Sequence, residues 1–182
     1  MSEGDPTDED LMERYRDTGD ERSFEALFAR YASRLHAFFS RFVRQDTDAA
    51  DLVQKTFMHV HRARRDYQPG RPVRPWIYTI ALNVRREEGR RRMRSREVVI
   101  DVQDPASMIE PSVEPSASSA SDRLVQRAIA QLSESQREVV VLHWFDELSF
   151  PEIAEMLGAS VSAVKVRAHR AYGELRRILG EA

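Results

Sequence analysis

Residues 148–179 read LSFPEIAEMLGASVSAVKVRAHRAYGELRRIL, and the reading of this stretch decides the fold. Ser149 can cap a helix by accepting one of its orphan backbone N–H groups. The helix that follows carries Ile153, Ala154 and Leu157 on one side. Ala154 is small where two helices must cross closely. Gly158 stands where the chain needs a left-handed residue to turn. Ser160 then caps a second helix, whose inward residues are Val161, Val164, Ala168, Ala171 or Tyr172, and Leu175. The pattern predicts a helix-turn-helix. Ser162, Lys165, Val166 and His169 fall at i, i+3, i+4 and i+7 on the outer face of the second helix, with Arg167 and Arg170 beside them. Such a face suits a major groove. Its early residues reach base edges while flanking Arg hold phosphates. Lys165 can donate to guanine, Val166 can touch a thymine methyl, and His169 can reach a base or a phosphate. Any three-helix unit also has a solvated basic face. Here caps, glycine, apolar period and basic outer face agree, and together they predict DNA binding.

Two further helices are expected upstream in the same unit. Leu124, Val125, Ala128, Ile129 and Leu132 share one face behind an N-cap at Ser121 or Asp122. Ser133 and Gln136 have capping-box spacing ahead of Val139, Val140, Leu142 and His143. Residues 98–121 have no helical period. They hold Pro105, Pro111 and Pro115 among Ser, Ala and Asp, and read as a flexible acidic linker.

Residues 23–97 form a second helical unit. Phe24, Leu27, Phe28, Tyr31, Leu35, Phe38, Phe39 and Phe42 make one apolar stripe. A helix from about Asp48 to Arg65 follows, with Leu52, Val53, Phe57 and Val60 inward and Asp51, Gln54, Lys55 and Met58 outward. Three Pro and one Gly then mark a loop up to Pro75. A third helix starts at Pro75 or Trp76 and runs into an Arg cluster, with seven Arg against two Glu over residues 85–96. Rings, an amide and positive charge mix here in Trp76, Tyr78, Asn83, Arg85, Arg86 and Arg90. Single-stranded DNA needs that mixture. Trp76 at helical spacing also suits a core. Tyr78 and Asn83 are the better candidates for an exposed role. Residues 1–22 are expected to form an acidic tail, frayed over Asp5 to Asp10.

Composition agrees with an all-α chain of two small helical domains. The chain has 182 residues, seven Gly and few β-branched runs. Its charged fraction of 32 % suits small helical units rich in surface, and 41 % hydrophobic residues can fill their cores. The net charge of −2 conceals basic patches at residues 85–96 and 165–177, and segregated patches of that kind mark nucleic-acid contacts. With no Cys, disulfides and Cys-ligated metal sites are excluded. His59 and His61, at i and i+2, point to different helix faces and do not make a metal pair. Neither a nucleophile elbow nor a Gly-rich phosphate loop occurs, so no enzyme and no cofactor is expected. The acidic start is no signal peptide, and the apolar run near Val139 to Leu142 is too short to insert in a membrane. A cytoplasmic protein is expected.

Three stretches, DAADLVQKTF, PWIYTIALN and LSESQREVVVLHWFDELSFPEIAEMLGASVSAVKVRAHRA, occur in this order and resemble the extracytoplasmic-function class of the sigma-70 family. The likeness spans Phe24 to Leu179 apart from the linker. It implies a transcription-initiation factor that binds core RNA polymerase and directs it to promoters. Residues 23–97 would be the unit that binds the core enzyme and reads and melts the −10 element. Residues 122–182 would read the −35 element. On the resemblance, the helix with Asp51, Leu52, Gln54 and Phe57 docks on the β′ clamp helices. Leu52 and Phe57 suit a core equally well. The loop of residues 66–75, which includes Tyr67, would capture a flipped base with Trp76, Tyr78 and Asn83, while Arg86 and Arg90 hold phosphates. The β subunit and an anti-sigma factor are the other partners implied. Lys55, His61, Val73, Pro75 and Val166 depart from the residues usual in the family, and Val166 bears on which −35 sequence is read. A stand-alone regulator with an N-terminal sensor or dimerisation domain would share the helix-turn-helix but would need no clamp-docking helix. An enzyme with a DNA-binding tail would need a site that the sequence lacks.

Overall fold

The computed structural model describes residues 5–43, 45–99 and 120–180, and every regular element among them is helical. The first helix, α1 (Asp8–Thr18), lies within the stretch expected to be a tail. Thr7 and Asp10 form a capping box, three acids fill the first turn, and Gly19 closes the helix in the left-handed region. The acidity read as fraying is what a helix N-terminus favours. Leu11, Met12 and Tyr15 are buried on one side of α1 and hold it to the unit. Over the described residues 5–22, the expected tail is therefore corrected to a packed helix followed by the start of α2; residues 1–4 lie outside the described residues.

Helix α2 (Glu21–Ser40) is capped by Asp20, which accepts from Ser23 N at 3.1 Å. It buries Leu27, Tyr31, Leu35, Phe38 and Phe39. Helix α3 (Asp46–Ala63) faces it with Ala49, Leu52, Val53, Phe57 and Val60, and ends in a 3-10 turn at Arg64–Asp66. Helix α4 (Val73–Val99) begins at Val73, earlier than Pro75. Its cap comes from another element: Glu9 of α1 accepts the Val73 N–H at 3.0 Å. A carboxylate there satisfies an orphan donor and favours the helix dipole. Pro75 sits in the first turn, where its missing N–H is harmless.

The C-terminal unit comprises α5 (Ala120–Gln131), α6 (Glu134–Val140), α7 (Phe150–Leu157) and α8 (Val161–Leu179). Ser133 and Gln136 make the expected capping box on α6. Arg137 lies across the end of α5 and donates to the carbonyls of Ile129 and Leu132, at 3.1 Å each. Helix α6 continues as a single π-helical turn, Val141–Phe145, and Glu147 then takes a positive φ of 54°. The core of the linker expected over residues 98–121 lies outside the described residues, and its edges belong to α4 and α5.

The two units are packed together. One buried apolar cluster runs from Leu11 in α1 through Tyr78 and Leu82 in α4 to Leu142, Ile153 and Ala168 of the C-terminal unit. Each Leu or Ile side chain in it contributes about 1.5–3 kcal/mol when fully withdrawn from water.

Candidate nucleic-acid and polymerase interfaces

The helix-turn-helix forms as its local signals dictate. Ser149 and Glu152 make a capping box on α7. Gly158 turns the chain at φ 59°, and Ala159 N donates to Ala154 O at 2.9 Å. Ser160 accepts from Ala163 N at 3.2 Å to start α8. Ile153 and Ala154 of α7 and Val164 and Ala168 of α8 are buried. Val161, expected inward, is exposed because it stands at the first helical position, beyond the reach of α7. Ser162, Lys165, Val166, His169 and Arg170 are exposed, and Arg167 is half-buried. Among the described residues, Lys165, Arg167, His169 and Arg170 have no ion-pair partner. The geometry leaves a row of uncommitted donors on one helix face, as a groove-reading helix requires.

On α3 the sequence candidates divide. Asp51 and Gln54 are exposed, whereas Leu52 and Phe57 are only 1 % and 3 % exposed and belong to the core. Leu52 is thereby corrected from a docking residue to a packing residue. Phe57 keeps one edge on a shallow apolar groove between α2 and α3, lined with Phe24, Phe28, Gln54, Met58, His61 and Arg62. Phe28 and Met58 are exposed there. Neither Phe24 nor Phe28 was a site candidate, because both fit the inward stripe of α2. Lys55 bridges Asp51 at 2.7 Å and Glu88 at 3.0 Å, which ties α3 to α4. That pairing holds the Lys55 ammonium above, and the Glu88 carboxyl below, its ordinary range. His61 Nδ1 meets the Tyr15 hydroxyl at 2.5 Å, and no metal-holding cluster occurs among the described residues.

The expected −10 residues are more scattered. Asn83 and Arg90 are exposed on α4. Tyr67 is buried, its hydroxyl donating to the Arg71 carbonyl and its ring edge-on to half-buried Trp76 at 5.4 Å. Glu13 of α1 accepts the Gly70 N–H at 3.0 Å and so fixes the loop. Tyr78, expected to be exposed, is 1 % exposed. Its ring lies edge-on to Phe38, and its hydroxyl donates to Asp146 Oδ1 at 2.5 Å. The partner lies 68 positions away in the other unit, beyond any local pattern. Tyr67 and Tyr78, both expected to act at the −10 element and Tyr78 to be exposed, are thus corrected to packed residues. Burial, with the Asp146 charge beside it, pushes the Tyr78 phenol upward, and burial pushes the Asp146 carboxyl up to about 6.

Arg86 is half-buried and already engaged. Its Nη2 is 2.8 Å from Glu138 Oε2, and its Nε donates to Oε1 at 3.1 Å. Arg85 donates to the same carboxylate and to Glu134 at 2.8 Å. Glu138 and Asp146 are contact residues that sequence reasoning missed. The one local signal was an acid embedded in the apolar run of α6.

Residues 27–95 match the family model described as Sigma-70 region 2, and residues 122–175 match Sigma-70, region 4. RNA polymerase sigma factor CarQ of Myxococcus xanthus is 42 % identical over 175 residues, covering 93 % of this chain and 96 % of the relative. The chain belongs to the sigma-70 family. Its relatives include the ECF RNA polymerase sigma-E factor of Escherichia coli, 30 % identical over 91 % of this chain and 90 % of the relative. The sigma factor is thus of the extracytoplasmic-function class and acts in transcription initiation, directing RNA polymerase to promoters. Its fold is similar to that of CnrH in complex with the cytosolic domain of CnrY, at a TM-score of 0.72 and 30 % identity over 96 % of this chain and 99 % of that one. It is also similar to RpoE of Bartonella quintana in complex with the anti-sigma factor NepR, at a TM-score of 0.74 and 24 % identity over 88 % and 98 %. Among the described residues of this sigma factor, no helix is long and apolar enough to cross a membrane.

Proposed function

We propose that the sigma factor divides promoter recognition between its two units. The exposed face of α8, with Ser162, Lys165, Val166 and His169 over bases and Arg167 and Arg170 on phosphates, reads the −35 duplex. Asn83, Arg86 and Arg90 of α4, with the loop held by Glu13, engage the −10 strand, and half-buried Trp76 borders it. The α2–α3 groove, with Asp51 and Gln54 on its rim, docks on the β′ clamp helices. Leu52 and the body of Phe57 support that surface from beneath. The β subunit is a second contact on the core enzyme. The protein acts by binding, without catalysis, in the cytoplasm where polymerase works.

The row of uncommitted donors on α8 is the observation that carries this reading. Two small modules joined in one chain raise each other's effective concentration on a promoter. The test adds the purified chain to sigma-free core polymerase and assays run-off transcription from genomic fragments. Promoter-specific transcripts that shift in sequence preference with Lys165→Ala support it. Absence of both transcript and core binding overturns it. The two solved relatives bound to CnrY and NepR also favour an anti-sigma partner for this chain. Co-purification from native cells tests that, and full activity of the free chain in the cell counts against it.

A further inference from the structure

Helix α1 lies in the stretch expected to be a tail, yet two of its acids reach into the loop between the 3-10 turn and α4. Glu9 and Glu13 stand at i and i+4, on one side of the helix. Glu13 Oε1 accepts the Gly70 N–H and Glu9 Oε1 accepts the Val73 N–H, each at 3.0 Å. Between these two ties the loop is closed on itself. Arg71 N donates to the Gln68 carbonyl at 3.2 Å, the Tyr67 hydroxyl donates to the Arg71 carbonyl, and Gly70 holds the turn at φ 75°. Burial, followed by the nearby charges of Glu9 and Glu13, pushes the Tyr67 phenol up to about 12. The loop is thus fastened by its backbone, while the side chains of Gln68, Pro69, Arg71 and Pro72 stay exposed. Negative charge beside a strand-binding loop repels phosphates. Two carboxylates kept there, each turned onto a backbone N–H, point to a task that outweighs the repulsion.

We infer that α1 belongs to the promoter-opening apparatus: Glu9 and Glu13 are positioning residues that hold the loop of residues 67–72 in the shape that captures the −10 strand. The inference rests on the reading that this loop engages that strand. The two carboxylates act without touching DNA. A loop fixed in advance loses no freedom when the unpaired base arrives, so the contacts to that base go into keeping the strands apart. If loss of one tie leaves the loop in the capturing shape about a tenth of the time, apparent affinity for the open strand falls about tenfold. A loosened loop also accommodates wrong bases, so discrimination among −10 sequences falls with it. Docking through the α2–α3 groove and −35 reading by α8 do not use the loop and should not change.

The test uses the full chain with core polymerase on a promoter fragment recovered by run-off transcription. Permanganate reactivity of unpaired thymines measures opening, and gel filtration measures core binding. Glu9→Ala and Glu13→Ala are each expected to reduce opening about tenfold, with core binding unchanged. Both should also narrow the preference for the promoter's own −10 sequence over singly substituted ones. Glu13→Gln keeps a carbonyl oxygen for the Gly70 N–H and is expected to retain most of the opening. Glu13→Asp withdraws the acceptor by one methylene and is expected to lose it. That pair makes the same comparison where an alanine variant fails to fold. A merely structural role would lower core binding together with opening and leave the −10 preference alone. Opening and −10 preference unchanged in the folded alanine variants overturn the inference, as does a loss shared equally with core binding. Glu13→Gln as impaired as Glu13→Asp overturns it too. The −10 assignment fails separately, if Asn83→Ala with Arg90→Ala also leaves opening intact; if that pair impairs opening and the α1 variants do not, only the role of α1 is lost.

Discussion

Asp146 gives the most quantitative test of the packing between units. Its carboxyl is buried against Tyr78 and lies near Arg41, Arg74 and Arg34, and Oδ2 has no hydrogen-bond partner. Burial outweighs the attraction of the three Arg and the hydrogen bond from Tyr78, so the group titrates at about 6 rather than 3.8. The packed chain therefore holds this proton more tightly than the unfolded chain does. Protonation stabilises the packed state. The contribution is negligible above about pH 7, grows as pH falls through 6, and reaches its full value only below 3.8. Raising the carboxyl from 3.8 to about 6 is worth about 3 kcal/mol in all, of which about 1.4 kcal/mol accrues between pH 7.5 and 5. Asp146→Asn removes the titration. Its oxygen still accepts from Tyr78, while its amide nitrogen replaces an unpartnered oxygen with an unpartnered donor at a cost of about 1–3 kcal/mol. Relief of the buried charge offsets that cost at pH 7.5. Urea unfolding of both proteins at pH 7.5 and 5, followed by far-UV circular dichroism, measures the difference. Carboxylates such as Glu88 and Asp20, held low by their partners, act with the opposite sign in both proteins and cancel. The wild type should gain about 1.4 kcal/mol over the variant on going to pH 5. Parallel pH profiles for the two would refute the account of Asp146 as a charge buried between the units.

Other outcomes follow from the same structure. Leu52→Ala should cost about 2–5 kcal/mol in unfolding free energy, because Leu52 is a core residue; Met58→Glu, at an exposed position of the groove, should change stability by under about 0.5 kcal/mol yet weaken core-polymerase binding in a pull-down. Glu13→Ala should free the Gly70 N–H and speed proteolysis of the loop after Tyr67, with Glu13→Gln retaining the acceptor and much of the protection. Gly158→Ala meets no atom within 4 Å but must hold a φ of 59°, so thermal unfolding should show a loss of about 1–2 kcal/mol from backbone strain alone. Lys165→Ala and His169→Ala should each change preference at one −35 position by about 1–3 kcal/mol in competition binding, without moving the melting temperature.

The C-terminal module was legible because its signals are local. Ser149, Gly158 and Ser160 act through backbone groups within a few positions, and the apolar period of α7 and α8 needs only the helix repeat. The capping box at Ser133 was readable for the same reason. Helix α1 was readable in principle, since Thr7, Asp10 and the Leu11, Met12 and Tyr15 set are local, but its acid charge pointed to a tail. The −10 candidates were legible as residue types and not as surfaces. Asn83 and Tyr78 carry similar polarity in the sequence, yet one is exposed and the other buried, because only tertiary packing brings Asp146 to the Tyr78 hydroxyl. Leu52 and Phe57 suited both a core and a docking face, and burial against α2 decided between them. By itself the sequence determined α6, α7 and α8, their serine caps and the outward face of α8, since these follow from spacing along one chain. The closing of α4 beneath Glu138 and Asp146 was decided by the tertiary structure alone, because a contact between residues more than fifty positions apart leaves no period to read.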